Sequence, residues 1–332
     1  MIRIGLLGCG RIGAVHARSL GRLQDRAQLV AVTDIDPVAA RILAGESGVE
    51  VMDPDTMIGS DTIDAVIIGT PTTTHSEYIH AACRAGKAIF CEKPIDLTTE
   101  RVHDCIGAIN AANVPFFTAF QRRFDPGFAA LEAQLRAGEL GQIELVILTS
   151  RDPAPPPNDY IRASGGLFRD MMIHDLDMAR FLLAEEPTEI FATGACLVDP
   201  AIGAAGDVDT AAVILKTSSG AICQISNSRR ATYGYDQRIE VHGEHGMLQA
   251  ANHPEHMLVR ADADGFRTAP NRHFFLERYA EAYFGEMRAF LDALTSGTAI
   301  RPNHHDGLRA QILADCAQES LETGQAVSID PG

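Results

Sequence analysis

The chain has 332 residues, 46% of them hydrophobic, and a formal net charge of −16. Its length fits two domains at roughly 150 residues each, and its apolar share supports a sizeable core. The acidic balance argues against a nucleic acid or an anionic membrane surface as partner, since both call for clustered Lys and Arg.

Apolar runs at 2–8, 29–34, 65–69, 88–91 and 115–119 read as strands, and the stretches 12–23, 38–44, 75–85 and 99–112 between them read as helices. Alternation of this kind predicts βαβ units and a doubly wound parallel sheet, with a ligand at the carboxyl ends of the strands. From about residue 120 the pattern changes. A helix at 126–137 precedes strands at 143–151, 189–198, 210–216, 221–226, 237–242 and 247–250, interrupted by one helix at 168–183. Turn signals such as Ser218-Ser219-Gly220 point to hairpins and a large open, mainly antiparallel sheet. Helices at 274–295 and 306–323 close the chain. The expected division is a nucleotide-binding domain over 1–120 and a substrate-binding and oligomerisation domain over 121–332. Seven scattered cysteines with no CxxC pair read as free thiols. With no signal pattern and no apolar run of about 18–20 residues, the expectation is a cytoplasmic protein.

Gly8, Gly10 and Gly13 form a GxGxxG between the first strand and the first helix, with Arg11 and Ile12 inside it. The first glycine permits a tight turn, the second lets the backbone approach a pyrophosphate, and the third allows close helix–sheet contact. The helix N-terminus favours the anion. Asp34 ends the second strand 21 positions after Gly13, where a carboxylate holds ribose hydroxyls and repels a 2′-phosphate. Ile35 offers no cation in compensation. NAD is therefore expected over NADP. The loops carrying Thr70, Pro71 and His75, and Glu92 and Lys93, leave strands at the same sheet edge and are expected over the nicotinamide half. By position alone His75 also reads as a helix start, and Lys93 as a solvated loop residue.

Asp170 and His174 are four apart in a predicted helix and are expected on one face. A carboxylate beside an imidazole can fix its tautomer and raise its basicity, as a general base requires. An ordinary exposed i, i+4 pair is the alternative. The histidines at 242, 245, 253 and 256 have HxxH spacings, but Gly243, Gly246 and Pro254 break helical geometry there, and no metal site is expected.

The whole chain resembles the Gfo/Idh/MocA oxidoreductases, and within them the inositol 2-dehydrogenases. The resemblance rests on GCGRIGAVHA from Gly8, the GTPTTTH loop, Glu92-Lys93-Pro94, the segment Gln121-Arg122-Arg123-Phe124-Asp125, the GGLFRDMMIHDLDMARF stretch and Tyr233-Gly234-Tyr235-Asp236. It implies a Rossmann domain followed by an α/β domain whose open sheet makes a homotetramer. It also implies a catalytic set of Lys93, Asp170 and His174 acting on a cyclic polyol, with Gln121, Arg122, Asp152 and Tyr235 bordering the substrate. Gln121 stands where relatives carry Asn or Met, and Asp152 where they carry Asn, which leaves the polyol open. Myo-inositol oxidised by NAD to a keto-inositol is the leading expectation. Another inositol or pyranose, a redox-neutral NAD-dependent glycosidase and a non-catalytic NAD sensor are the alternatives.

Overall fold

The computed structural model describes residues 1–330. The chain forms two units: Met1–Phe124 with Glu281–Gln311, and Asp125–Ala280 with the stretch from Ile312 onward.

The first unit opens with β1 (Ile2–Leu7), α1 (Arg11–Gly21), β2 (Ala27–Thr33), α2 (Pro37–Ser47), β3 (Glu50–Val51), α3 (Pro54–Gly59), β4 (Ala65–Ile68), α4 (His75–Arg84), β5 (Ala88–Glu92), α5 (Thr99–Ala112) and β6 (Phe116–Ala119). Its six strands lie in the order β3-β2-β1-β4-β5-β6, and every pairing is parallel. The order reverses between β1 and β4, the switch point at which doubly wound sheets take their ligands. Parallel strands are covered on both faces, so β4 and β6 are buried throughout. β3 and α3 are too short for periodicity to reveal. Asp36 caps α2, its side chain accepting from Val38 N at 2.8 Å, with Pro37 at the first helical position.

In the second unit follow α6 (Pro126–Arg136), β7 (Ile143–Arg151), α7 (Asn158–Ala163), α8 (Ile173–Leu183), β8 (Pro187–Ala195), α9 (Pro200–Ala204), β9 (Thr210–Thr217), β10 (Ile222–Ser228), β11 (Asp236–Gly243), β12 (Gly246–Ala250), β13 (Val259–Asp262), β14 (Gly265–Thr268) and α10 (Phe275–Arg278). The chain ends with α11 (Ala280–Ser296), α12 (His304–Thr323) and β15 (Val327–Ser328). Seven strands form one sheet in the order β12-β11-β7-β10-β9-β8-β15. Only β7 and β10 run parallel, and the other pairs are antiparallel. One face is buried, with Val146, Leu148, Val213, Leu215, Cys223, Ile225 and Val241. The opposite face leaves Phe191, Ile222 and Met247 exposed. The hairpin β13–β14 has almost no buried face, so hydrophobic alternation carries no signal for it.

The division differs from a single boundary after residue 120 because Glu281–Gln311 returns to the first unit. Its α11 places Met287, Phe290 and Leu291 in the core beside Phe90 and Phe117. The Phe290 ring lies 5.5 Å from that of Phe90 and 5.9 Å from that of Phe117. Burying each such side chain contributes about 1.5–3 kcal/mol. The helix expected over 274–295 is accordingly two, broken at Tyr279, which is fully buried in the second unit. Residues 331 and 332 of the expected second domain lie outside the described residues.

Candidate active site

In the first unit, the loop after β1 is shaped by what its glycines exclude. Gly8 has φ +98°, and a Cβ there would lie 2.5 Å from Gly69 O. A Cβ on Gly13 would fall 2.0 Å from Gly8 O. A Cβ on Gly10 would meet nothing within 4 Å. Gly8 and Gly13 thus let the backbone close on itself, and Gly10 borders open space before α1, whose N-cap position carries no side-chain cap. Backbone N–H groups at such a helix start fit a pyrophosphate. Arg11 is exposed and Ile12 half-buried at the helix start.

Asp34 stands just beyond β2. Its carboxylate accepts from Cys9 N at 2.6 Å and from Asp36 N at 2.8 Å, which ties the end of β2 to the glycine loop. The neighbouring Ile35 is fully exposed. A ribose diol fits beside such a carboxylate.

Thr70 and Pro71 follow β4 and lead through a 3₁₀ turn into α4. His75, expected near the cofactor, is 1% exposed, and both ring nitrogens face backbone carbonyls: Nε2 lies 2.9 Å from Thr70 O, and Nδ1 2.9 Å from Pro94 O. Burial pushes its pKa below 6.5. A neutral imidazole donates to only one of the two carbonyls. His75 is therefore packed between the Thr70 loop and the Glu92–Pro94 loop, donating to one of the two carbonyls. Glu92 ends β5, and its Oε1 lies 2.8 Å from Nε2 of His16 in α1. Lys93 follows, half-buried. Gln121 and Arg122 are buried in a 3₁₀ turn, Gln121–Phe124, after β6.

In the second unit, the expected continuous helix over 168–183 is divided. A π-helical turn, Phe168–Met172, carries Asp170, and α8 carries His174 in its first turn. The wider i→i+5 winding of this turn still leaves positions four apart near one face, and such turns occur frequently at functional sites. Gly166, at φ +85°, opens this segment; a Cβ there would lie 2.9 Å from Asp207 Oδ1, which accepts from Leu167 N. The Asp170 carboxylate accepts from Tyr160 Oη at 2.8 Å and lies 3.4 Å from two guanidinium nitrogens of Arg229, itself 1% exposed. His174 is buried.

Sheet register explains the grouping. Arg151 pairs with Ser228 and with Asp236, so Asp152, Arg229 and Tyr235 all lie at one edge of the β11-β7-β10 strip. Asp152 N donates to Ser228 O at 2.9 Å. Two residues inward, Ser150 and Asn227 donate to the Asp175 carboxylate at 2.5 and 3.0 Å. Ser150 Oγ lies 3.2 Å from Gln237 Oε1, to which Tyr279 also donates at 2.9 Å. This buried network fixes the start of α8, hence His174, against that same edge. Tyr235 is buried edge-on to Tyr279, with ring centroids 6.1 Å apart. Tyr160 and Arg229 were missed from sequence, because nothing in their spacing links positions 10 and 59 residues from Asp170.

A parallel sheet of this order, with a glycine cradle at its switch point and an acid ending β2, defines an oxidoreductase built on a dinucleotide-binding domain. The chain belongs to the Gfo/Idh/MocA oxidoreductase family. The family of oxidoreductases with an NAD-binding Rossmann fold matches residues 2–120, and the Gfo/Idh/MocA C-terminal domain matches residues 128–249. The chain is 51% identical over 328 residues to the inositol 2-dehydrogenase of Rhizobium meliloti, covering 99% of each. It is 45% identical over 331 residues to the myo-inositol 2-dehydrogenase of Thermotoga maritima, again covering 99% of each. The crystal structure of a myo-inositol dehydrogenase from Lactobacillus casei in complex with NAD(H) and myo-inositol matches with a TM-score of 0.87 at 26% identity, covering 100% of this chain and 98% of that one.

Proposed function

We propose that this protein oxidises a ring hydroxyl of a cyclic polyol with NAD, converting myo-inositol to the 2-keto-inositol. The agreement with inositol 2-dehydrogenases over 99% of both chains carries the reading, and the buried polar set around His174 supports it. Gly8, Gly10, Arg11, Ile12 and Gly13 would hold the pyrophosphate, Asp34 the adenosine ribose, and Thr70, Pro71, Glu92 and Lys93 the nicotinamide half. His75 serves that half from between the two loops that carry those residues. Bound NAD supplies a hydride acceptor.

His174 takes the proton of the reacting hydroxyl. Asp170, held by Tyr160 and Arg229, keeps the imidazole oriented and stabilises the imidazolium that forms. Lys93 donates a hydrogen bond to the same oxygen and favours its developing negative charge. Gln121, Arg122, Asp152 and Tyr235 read the remaining hydroxyls. Unpaired buried polar groups are costly, so a polyol lacking one matched hydroxyl is rejected. Among the described residues no helix is long and apolar enough to cross a membrane, which agrees with a cytoplasmic enzyme. The exposed Phe191, Ile222 and Met247 suit a homotetramer built through the second sheet.

The test is NADH formation with myo-, scyllo- and chiro-inositol, glucose and galactose, with NADP in parallel. Myo-inositol should give NADH, and NADP only a trace. His174→Ala should lose about 10²–10⁴-fold in turnover, the usual worth of a general base, while still binding NAD. Near-normal turnover of that variant removes His174 from the chemistry. NAD binding without NADH from any polyol points to a redox-neutral enzyme or a sensor.

A further inference from the structure

Three ionisable side chains meet inside the first unit. They are His16 of α1, Glu92 at the end of β5 and Glu286 of α11, and their nitrogen and oxygen atoms lie within 4.8 Å of one another. His16 and Glu286 are both fully buried. His16 Nε2 and Glu92 Oε1 are 2.8 Å apart. Neither carboxylate oxygen of Glu286 has a hydrogen-bond partner within the protein, and no cation pairs with it among the described residues. A buried ionised carboxylate in that position would be uncompensated, and beside a second carboxylate it would also be repelled. The titratable groups facing it are His16 from α1 and Glu92 from β5. Tyr283, on its own helix, and Phe90 both stand edge-on to the His16 imidazole, at 6.1 and 5.0 Å between ring centroids.

We propose that Glu286 is held as a neutral carboxylic acid packed beside the His16–Glu92 pair, adding no second negative charge there and so acting as a positioning residue for Glu92 and for the Lys93 that follows. The separation of His16 and Glu92 is that of a hydrogen bond, so a proton rather than a metal ion occupies that line. Burial, and then the charge of Glu92, both raise the Glu286 pKa well above 4.5, in keeping with this assignment. The consequence for catalysis rests on the role given to Lys93 above; the protonation state does not.

The experiment compares the full-length protein with Glu286→Gln and Glu286→Leu. A native carboxyl that keeps its proton loses stability relative to the unfolded chain as pH rises above the ordinary carboxyl value, because only the unfolded state ionises freely. Glu286→Gln cannot ionise. Its melting temperature should therefore rise relative to the parent's between about pH 5 and about pH 8, the difference growing with pH. The infrared spectrum of the parent at neutral pH should contain a protonated carboxylic carbonyl band that Glu286→Gln lacks. A melting difference that stays flat or turns against Glu286→Gln as pH rises, or a missing band, overturns the proposal. So does a stoichiometric divalent metal in the purified protein. In turnover, Glu286→Leu should lose about tenfold, the lower range for losing a group that orients an active-site residue, and Glu286→Gln should restore most of that loss. Equal losses in the two variants would refute the positioning role. If no polyol is turned over at all, the dehydrogenase reading fails, while the melting and infrared results still decide the state of Glu286.

Discussion

Replacing Asp175 by alanine tests how the second unit holds the helix that carries His174. Asp175 is 2% exposed, and its carboxylate accepts from Ser150 at 2.5 Å and Asn227 at 3.0 Å. A hydrogen bond to a charged group contributes about 1.5–3 kcal/mol, and a buried donor left without a partner costs about 1–3 kcal/mol. Ser150 has an alternative acceptor in Gln237 Oε1 at 3.2 Å, so most of the penalty falls on Asn227. Releasing the carboxylate from a buried place offsets part of the loss. The net expectation is a loss of about 3 kcal/mol, a large share of the roughly 5–15 kcal/mol that folded proteins have in hand. Asp175→Asn keeps one acceptor oxygen and should lose about half as much. Urea unfolding followed by circular dichroism would show a lower midpoint at unchanged slope. Turnover should fall about tenfold or more through misplacement of His174, while NAD affinity, set in the other unit, stays. A stability loss below about 1 kcal/mol with normal turnover would refute the claim that this network positions the helix.

Two further perturbations address the cofactor and the response to acid. Asp34→Ser combined with Ile35→Arg should raise the KM for NAD by about tenfold or more, the worth of a charge-assisted hydrogen bond, and shift preference toward NADP. Ile35 is fully exposed and disturbs no core, so an unchanged NAD to NADP ratio would remove Asp34 as the selector. At the turn joining β9 to β10, hydrogen bonds from Ser218 and Ser219 lower the Glu185 carboxyl from 4.5 to about 2. Because the folded value is depressed, the turn is held above pH 4.5 and released as pH falls toward about 2. Amide exchange at Ser219, whose N–H donates to Glu185 at 3.0 Å, should lose its protection relative to the intrinsic exchange rate over that window in the parent. In Glu185→Gln it should already be fast at neutral pH, and equal protection in both proteins would contradict the assignment.

Much of this protein was written locally. The glycine spacing and Asp34 marked the proposed nucleotide site, because turn geometry and charge at a strand end are properties of a few adjacent residues. The parallel and antiparallel halves followed from hydrophobic runs, whose period reports which faces are buried. Helix α5 and strand β7 fall on their predicted bounds. Elements without a buried face, such as the hairpin β13–β14, or of only a few residues, such as β3, left no such period.

Tertiary structure decided what spacing could not. It returned α11 to the first core through Phe290, split the His174 helix with a π turn, set both ring nitrogens of His75 against backbone carbonyls, and brought Arg229 to Asp170 across 59 residues. It also enclosed Glu286 with His16 and Glu92. The physical reason is common to all of these. Local sequence fixes backbone preference and which face is apolar, whereas the partners of a buried polar group are set by strand register and helix packing. Those bring together residues with no sequence relation to one another.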